Sequence, residues 1–79
     1  MRDQILETVA EVFGLGVADV PEDASIETLE SWDSLHHMEL MLALEIRFGV
    51  RMTTDVMPTL VSVEAIEEFL QEQGAGSPG

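Results

Sequence analysis

From Asp33-Ser34 to Phe48-Gly49 the chain runs fifteen residues without a single helix breaker. Asp33 and Ser34 are both good N-cap residues, and Gly49 is a good residue to follow a helix C-terminus. The stretch reads as a helix, and it carries more apolar surface than one helix of a small bundle needs. At about 100° per residue, with Leu35 at zero, Leu40, Met41, Leu44 and Phe48 fall between about 140° and 240°. Leu35, Met38, Leu42 and Ile46 fall between about 300° and 20°, with Glu39 near 40° and Glu45 near 280° at its rims. One stripe joins a core. The second, interleaved with acids, has the pattern of a docking face, unless another element covers it.

Two more helical periods flank this one. Ile5, Leu6, Val9, Val12 and Phe13 make one face of a helix over about Asp3–Phe13, ended by Gly14 and Gly16. Val63, Ile66, Phe69 and Leu70 make the apolar face of a last helix from Ser62, its N-cap, to Gln73. A short helix is expected around Thr53–Met57, limited by Pro58. Residues 15–33 show no period, and Val17, Val20, Ile26 and Leu29 are expected to pin this long connection to the core. No strand-like alternation appears. The fold class is therefore all-α, a small bundle of three main helices plus one short helix. It forms one domain over residues 1–73, with residues 74–79 as a flexible C-terminal tail.

Charge sets the range of partners. Three Arg, no Lys and 16 acidic residues give a net charge of −13. Such a field repels phosphate backbones and anionic lipid, so neither nucleic acid nor membrane is expected as a partner, and basic patches on proteins are. With no cysteine there is neither a disulfide framework nor a thiolate metal site. The 46% hydrophobic content must fold the chain alone. The start Met1-Arg2-Asp3-Gln4 lacks a signal-peptide apolar run, and Leu40–Leu44 is far too short to span a bilayer, so a cytoplasmic location is expected.

Ser34 opens the doubly apolar helix. Free backbone N–H groups there favour an anion, and Asp33 beside it opposes one. A plain N-cap is the other reading of the Asp-Ser pair. The wider context is more specific. Trp32-Asp33-Ser34-Leu35, then Met38-Glu39-Leu40, then Leu42-Ala43-Leu44-Glu45 and Phe48-Gly49-Val50 together resemble the acyl carrier proteins. The resemblance extends from Ile5 to Leu70, with residues 32–50 as its specific part. It implies a 4′-phosphopantetheine arm esterified to Ser34, added from coenzyme A by a phosphopantetheinyl transferase that uses magnesium, with Asp33 beside the attachment point. It implies a freestanding carrier of acyl thioesters. The recognition surface carried over by position is Leu35, Met38, Glu39, Leu42, Glu45 and Ile46, the same stripe the helical wheel isolates. The partners implied are an acyl-loading enzyme or acyltransferase, and a ketosynthase or other tailoring enzymes with basic patches. No Ser-His-Asp or Cys-His arrangement is present, so catalysis is expected to belong to the partners.

The chain departs from the fatty-acid-synthesis pattern in two places. His36 stands where those carriers place an acid, and Ile46-Arg47 replace an acidic run. This points to a specialised carrier of polyketide or related secondary metabolism. An aminoacyl or peptidyl carrier, and an unmodified acidic helical adaptor, remain as alternatives. His36 and His37 cannot chelate one metal as neighbours about 100° apart on a helix. His37 is expected at the core edge and His36 exposed. Asp19, Glu22 and Asp23 lack EF-hand spacing, so no metal site is assigned. Trp32 is expected to anchor the loop beside Ser34. An internal apolar cavity walled by Met38, Leu44, Met52, Met57, Ile66 and Phe69 is weighed against a solid core.

Overall fold

The computed structural model describes residues 1–74. Three α-helices, α1 (Arg2–Phe13), α2 (Ser34–Phe48) and α3 (Val63–Glu72), are joined by two loops that each contain one 3₁₀ turn, Val17–Asp19 and Met57–Thr59. No strand forms among the described residues, and the all-α class stands. Residues 75–79 of the expected tail lie outside the described residues.

Each helix is bounded by local chemistry. Gly14 ends α1 in the left-handed conformation at φ 71°, and the amides of Gly14 and Leu15 both return to the Ala10 carbonyl. Gly49 does the same for α2 at φ 66°, with the amides of Gly49 and Val50 on the Glu45 carbonyl. Gly16 is not part of the α1 cap; it is extended and precedes the first 3₁₀ turn. Ser62 caps α3, its hydroxyl accepting the Ala65 amide at 3.0 Å.

The core is built from one side of each helix: Ile5, Leu6, Val9, Ala10 and Phe13 from α1, Leu40, Met41 and Leu44 from α2, and Val63, Ile66 and Leu70 from α3. Trp32, Val20, Ala24, Met52 and Leu60 close it from the loops. Two ion pairs tie α1 to its neighbours. Arg2 donates to both oxygens of Glu67 on α3, at 2.7 and 3.3 Å. Arg47 on α2 donates to Glu7 at 2.6 Å and to the buried Thr8 hydroxyl at 3.3 Å.

The connections differ from the sequence reading in instructive ways. Of the four apolar residues expected to pin the long loop, Val20 is buried and Leu29 half-buried, while Val17 and Ile26 are exposed. Much of the pinning is done by backbone. Ser25 and Ser62 form an isolated antiparallel bridge, with the Ile26 amide on the Val61 carbonyl and the Val63 amide on the Ala24 carbonyl, both at 2.9 Å. The short helix lies a few residues later than expected and is a single 3₁₀ turn, Met57–Thr59, with Pro58 inside it rather than beyond it. Proline is compatible there because the first amides of a helical turn need no internal acceptor.

The split of α2 into two stripes yields a direct test. Leu44 is fully buried and Leu42 is not. Leu44→Ala is expected to cost about 2–5 kcal/mol in urea unfolding, and Leu42→Ala less than about 0.5 kcal/mol.

Candidate functional site

The first turn of α2 and the loop before it assemble the site. Trp32 is 2% exposed, and its indole ring meets Phe13 edge-on at a centroid distance of 5.7 Å. Burying the indole drags the backbone of Asp33 and Ser34 to the edge of the bundle while leaving their side chains in water; both residues are exposed. The expectation that Trp32 anchors the loop beside Ser34 is met in this contact.

Asp33, and not Ser34, is the N-cap. Its Oδ1 accepts the His36 amide at 2.9 Å and lies 2.9 Å from His36 Nδ1. These bonds hold the Asp33 carboxyl below the usual carboxylate range, the backbone bond first and the imidazole bond second. The anion-attracting end of α2 is thus already answered by its own carboxylate. Ser34 is left out of the cap, its side chain solvent-accessible at the first residue of the helix. His36 is half-buried rather than exposed, because the bond to Asp33 and an edge-on contact with Phe13 at 5.5 Å draw it down. His37 is at the core edge as expected. It accepts from Trp32 Nε1 at 2.9 Å and its Nε2 lies 2.8 Å from the Met57 carbonyl oxygen.

Beside Ser34 lies an open apolar groove of about 440 Å³, lined by Ile26, Ser34, His37, Met38, Thr54, Met57, Pro58 and Val61. It replaces the internal cavity considered from the sequence. Of the six expected walls only Met38 and Met57 line it; Leu44, Met52 and Ile66 are buried in the core. This apolar space lies at the surface, where α2 faces the 3₁₀ turn.

The outer stripe of α2 is uncovered. Leu35 is 66% exposed, Met38 51%, Leu42 53% and Ile46 85%, and Glu39 is exposed among them. Glu45 has an internal duty: half-buried, it accepts the Met52 amide at 2.7 Å and ties down the loop after α2. No spacing in the sequence signalled this, because the partner is a backbone group seven residues on. No group of three or more His, Cys, Asp or Glu able to hold a metal ion occurs among the described residues, and no described helix is long and apolar enough to cross a membrane.

The Asp33 cap has a defined pH dependence. A carboxyl whose folded value is lowered contributes stability above its unfolded value and loses it as pH falls through the folded one. The gap in urea midpoint between wild type and Asp33→Ala is expected to be open at pH 5–7 and to close below about pH 4, followed by circular dichroism.

Residues 3–70 match the family profile described as "Phosphopantetheine attachment site". The chain is also similar to "Polyketide-8 synthase acyl carrier protein 2" of Streptomyces avermitilis, 33% identical over 69 residues that cover 87% of this chain and 79% of the relative. A match over most of the helical bundle, joined to an exposed serine heading a doubly apolar helix, places the family beyond the short Asp-Ser-Leu motif. The chain belongs to the acyl carrier protein family, as a carrier and not a catalyst.

Proposed function

We propose that Ser34 is the attachment point of a 4′-phosphopantetheine arm, and that the loaded protein delivers acyl intermediates to partner enzymes in polyketide or related secondary-metabolite biosynthesis. The observation that carries this reading is the exposure of Ser34 at the head of α2, outside its own helix cap and at the mouth of an apolar groove. When attached, the arm supplies the thiol that a chain without cysteine lacks. The transferase that adds it from coenzyme A uses magnesium. Asp33 has one carboxylate oxygen bound to His36, and its other oxygen is the one we assign to the modifying enzyme's metal or a basic group. The polyketide assignment is supported by the name of the Streptomyces relative and the departures at His36 and Ile46-Arg47.

Leu35, Met38, Leu42 and Ile46 form the apolar part of the docking face, with Glu39 as the acid that meets basic partner patches. Glu45 serves this face more weakly, since its carboxylate is committed to Met52. Contacts of this kind steer quickly and release quickly, and salt weakens them. The partners are the phosphopantetheinyl transferase, an acyltransferase or other acyl-loading enzyme, and a ketosynthase or tailoring enzymes that act on the loaded chain.

Incubation with coenzyme A, magnesium and a broad-specificity phosphopantetheinyl transferase is expected to raise the intact mass by one arm, and Ser34→Ala to abolish the gain. A wild type that stays unmodified under conditions that load a known carrier overturns the reading in favour of an unmodified adaptor. Loading of the arm by a malonyl or acyl transferase, and not by an amino-acid-adenylating enzyme, separates an acyl from an aminoacyl or peptidyl carrier. Leu42→Glu and Glu39→Arg are expected to slow that loading severalfold, the second effect shrinking at high salt.

A further inference from the structure

His37 is bonded at both ring nitrogens to groups whose roles are fixed. Trp32 Nε1–H is a donor only, so His37 Nδ1 at 2.9 Å must accept. The Met57 carbonyl is an acceptor only, so His37 Nε2 at 2.8 Å must donate. One state of the ring satisfies both: the neutral imidazole with its proton on Nε2. The three residues come from three parts of the fold. Trp32 lies in the loop two residues before Ser34, His37 is in the first turn and a half of α2, and Met57 opens the 3₁₀ turn that walls the groove. The indole and imidazole rings also lie nearly parallel, 27° apart with centroids at 6.2 Å.

We propose that His37 is a positioning residue: as the neutral Nε2–H tautomer it clasps the Ser34 loop to the 3₁₀ turn across the groove, and protonation of the ring releases the loop side of the clasp. A second proton goes to Nδ1, which turns an acceptor into a donor facing the donor of Trp32. The bond to Met57 survives that change and the bond to Trp32 does not. The titratable and charged groups on the elements around His37 are His36, Glu39, Glu45 and Arg47 on α2, Asp19, Glu22, Asp23, Glu27, Glu30 and Asp33 in the loop before it, and Arg51 and Asp55 before the 3₁₀ turn; none of them hydrogen-bonds the His37 ring, whose partners are Trp32 and Met57, and Asp33 is engaged by His36. Among the groove-lining residues His37 alone carries an imidazole, carboxylate or basic group. The part of the proposal that concerns Ser34 rests on its reading as the attachment point; the clasp itself does not.

Trp32 is the chain's single tryptophan, so its indole N–H gives one resonance in a ¹⁵N–¹H spectrum of the unmodified protein. As acid is added until the His37 imidazole ¹⁵N shifts report a second ring proton, that resonance is expected to shift upfield and lose protection from solvent exchange in wild type, with the same midpoint as the ring. In His37→Gln it is expected to stay fixed, because glutamine offers the same acceptor and donor without titrating. His36→Gln is expected to behave as wild type. Imidazole ¹⁵N shifts at pH 7.5 are expected to place the His37 proton on Nε2. A proton on Nδ1, an indole that does not respond to pH in wild type, or one that titrates equally in His37→Gln overturns the clasp. For positioning, His37→Phe is expected to lower kcat/KM for arm transfer to Ser34 by about tenfold at pH 7.5, with His37→Gln restoring it to within about twofold. Equal transfer to His37→Phe and wild type overturns the positioning role. A wild type that accepts no arm while its indole titrates as described overturns the Ser34 reading and leaves the clasp standing.

Discussion

Everything in this bundle depends on α2 being apolar on two sides and buried on one. Leu40, Met41 and Leu44 are fully buried, and burial of side chains of this kind contributes about 1.5–3 kcal/mol each. The opposite stripe forgoes that gain. Leu35, Met38, Leu42 and Ile46 remain in water although covering them with the long loop would stabilise the fold. The loop instead crosses to α3, where the Ser25–Ser62 bridge fixes it. A chain of 79 residues has little stability to spare, and the burial forgone here supports the proposed use of this surface for docking.

Charge imposes the second constraint. With a net charge of −13, the arginines are scarce, and two of the three are spent as staples from α1 to its neighbours, Arg2 to Glu67 and Arg47 to Glu7. Partly exposed pairs of this kind are worth little singly. Their value here is where they remove repulsion: each relieves one carboxylate at a helix–helix seam. Glu39 is left on the rim of the outer stripe, where it lends the apolar surface a sign that a basic partner can read.

The helices and the two stripes were legible in the sequence because both follow from spacing along one helix, and Asp33, Ser62, Gly14 and Gly49 mark the ends through contacts of four residues or fewer. What spacing does not encode is contact between segments far apart in the chain. The Ser25–Ser62 bridge and the Arg2–Glu67 pair, 65 residues apart, belong to that class. So does the groove: the sequence left an internal cavity and a solid core open, because whether apolar side chains meet a void or one another is a matter of packing. His36 was misplaced for a related reason. Its burial is set by Phe13 on another helix, and its bond to Asp33 competes with solvent in a way that residue type alone does not reveal.

The proposed attachment of an arm at Ser34 makes two demands that conflict in a small domain. A modified residue must be reachable, so it cannot be held by packing of its own side chain. It must also be presented at a fixed place, so something adjacent has to be held. Trp32 and Asp33, the two residues before Ser34, meet the second demand, one by burying an indole against Phe13 and the other by capping α2 through His36. Ser34 then meets the first demand with no anchor of its own. The same logic explains why the cap is a carboxylate one residue earlier: a serine that capped its own helix would spend its hydroxyl on a backbone amide, and an ester at that oxygen would dissolve the cap that positions it.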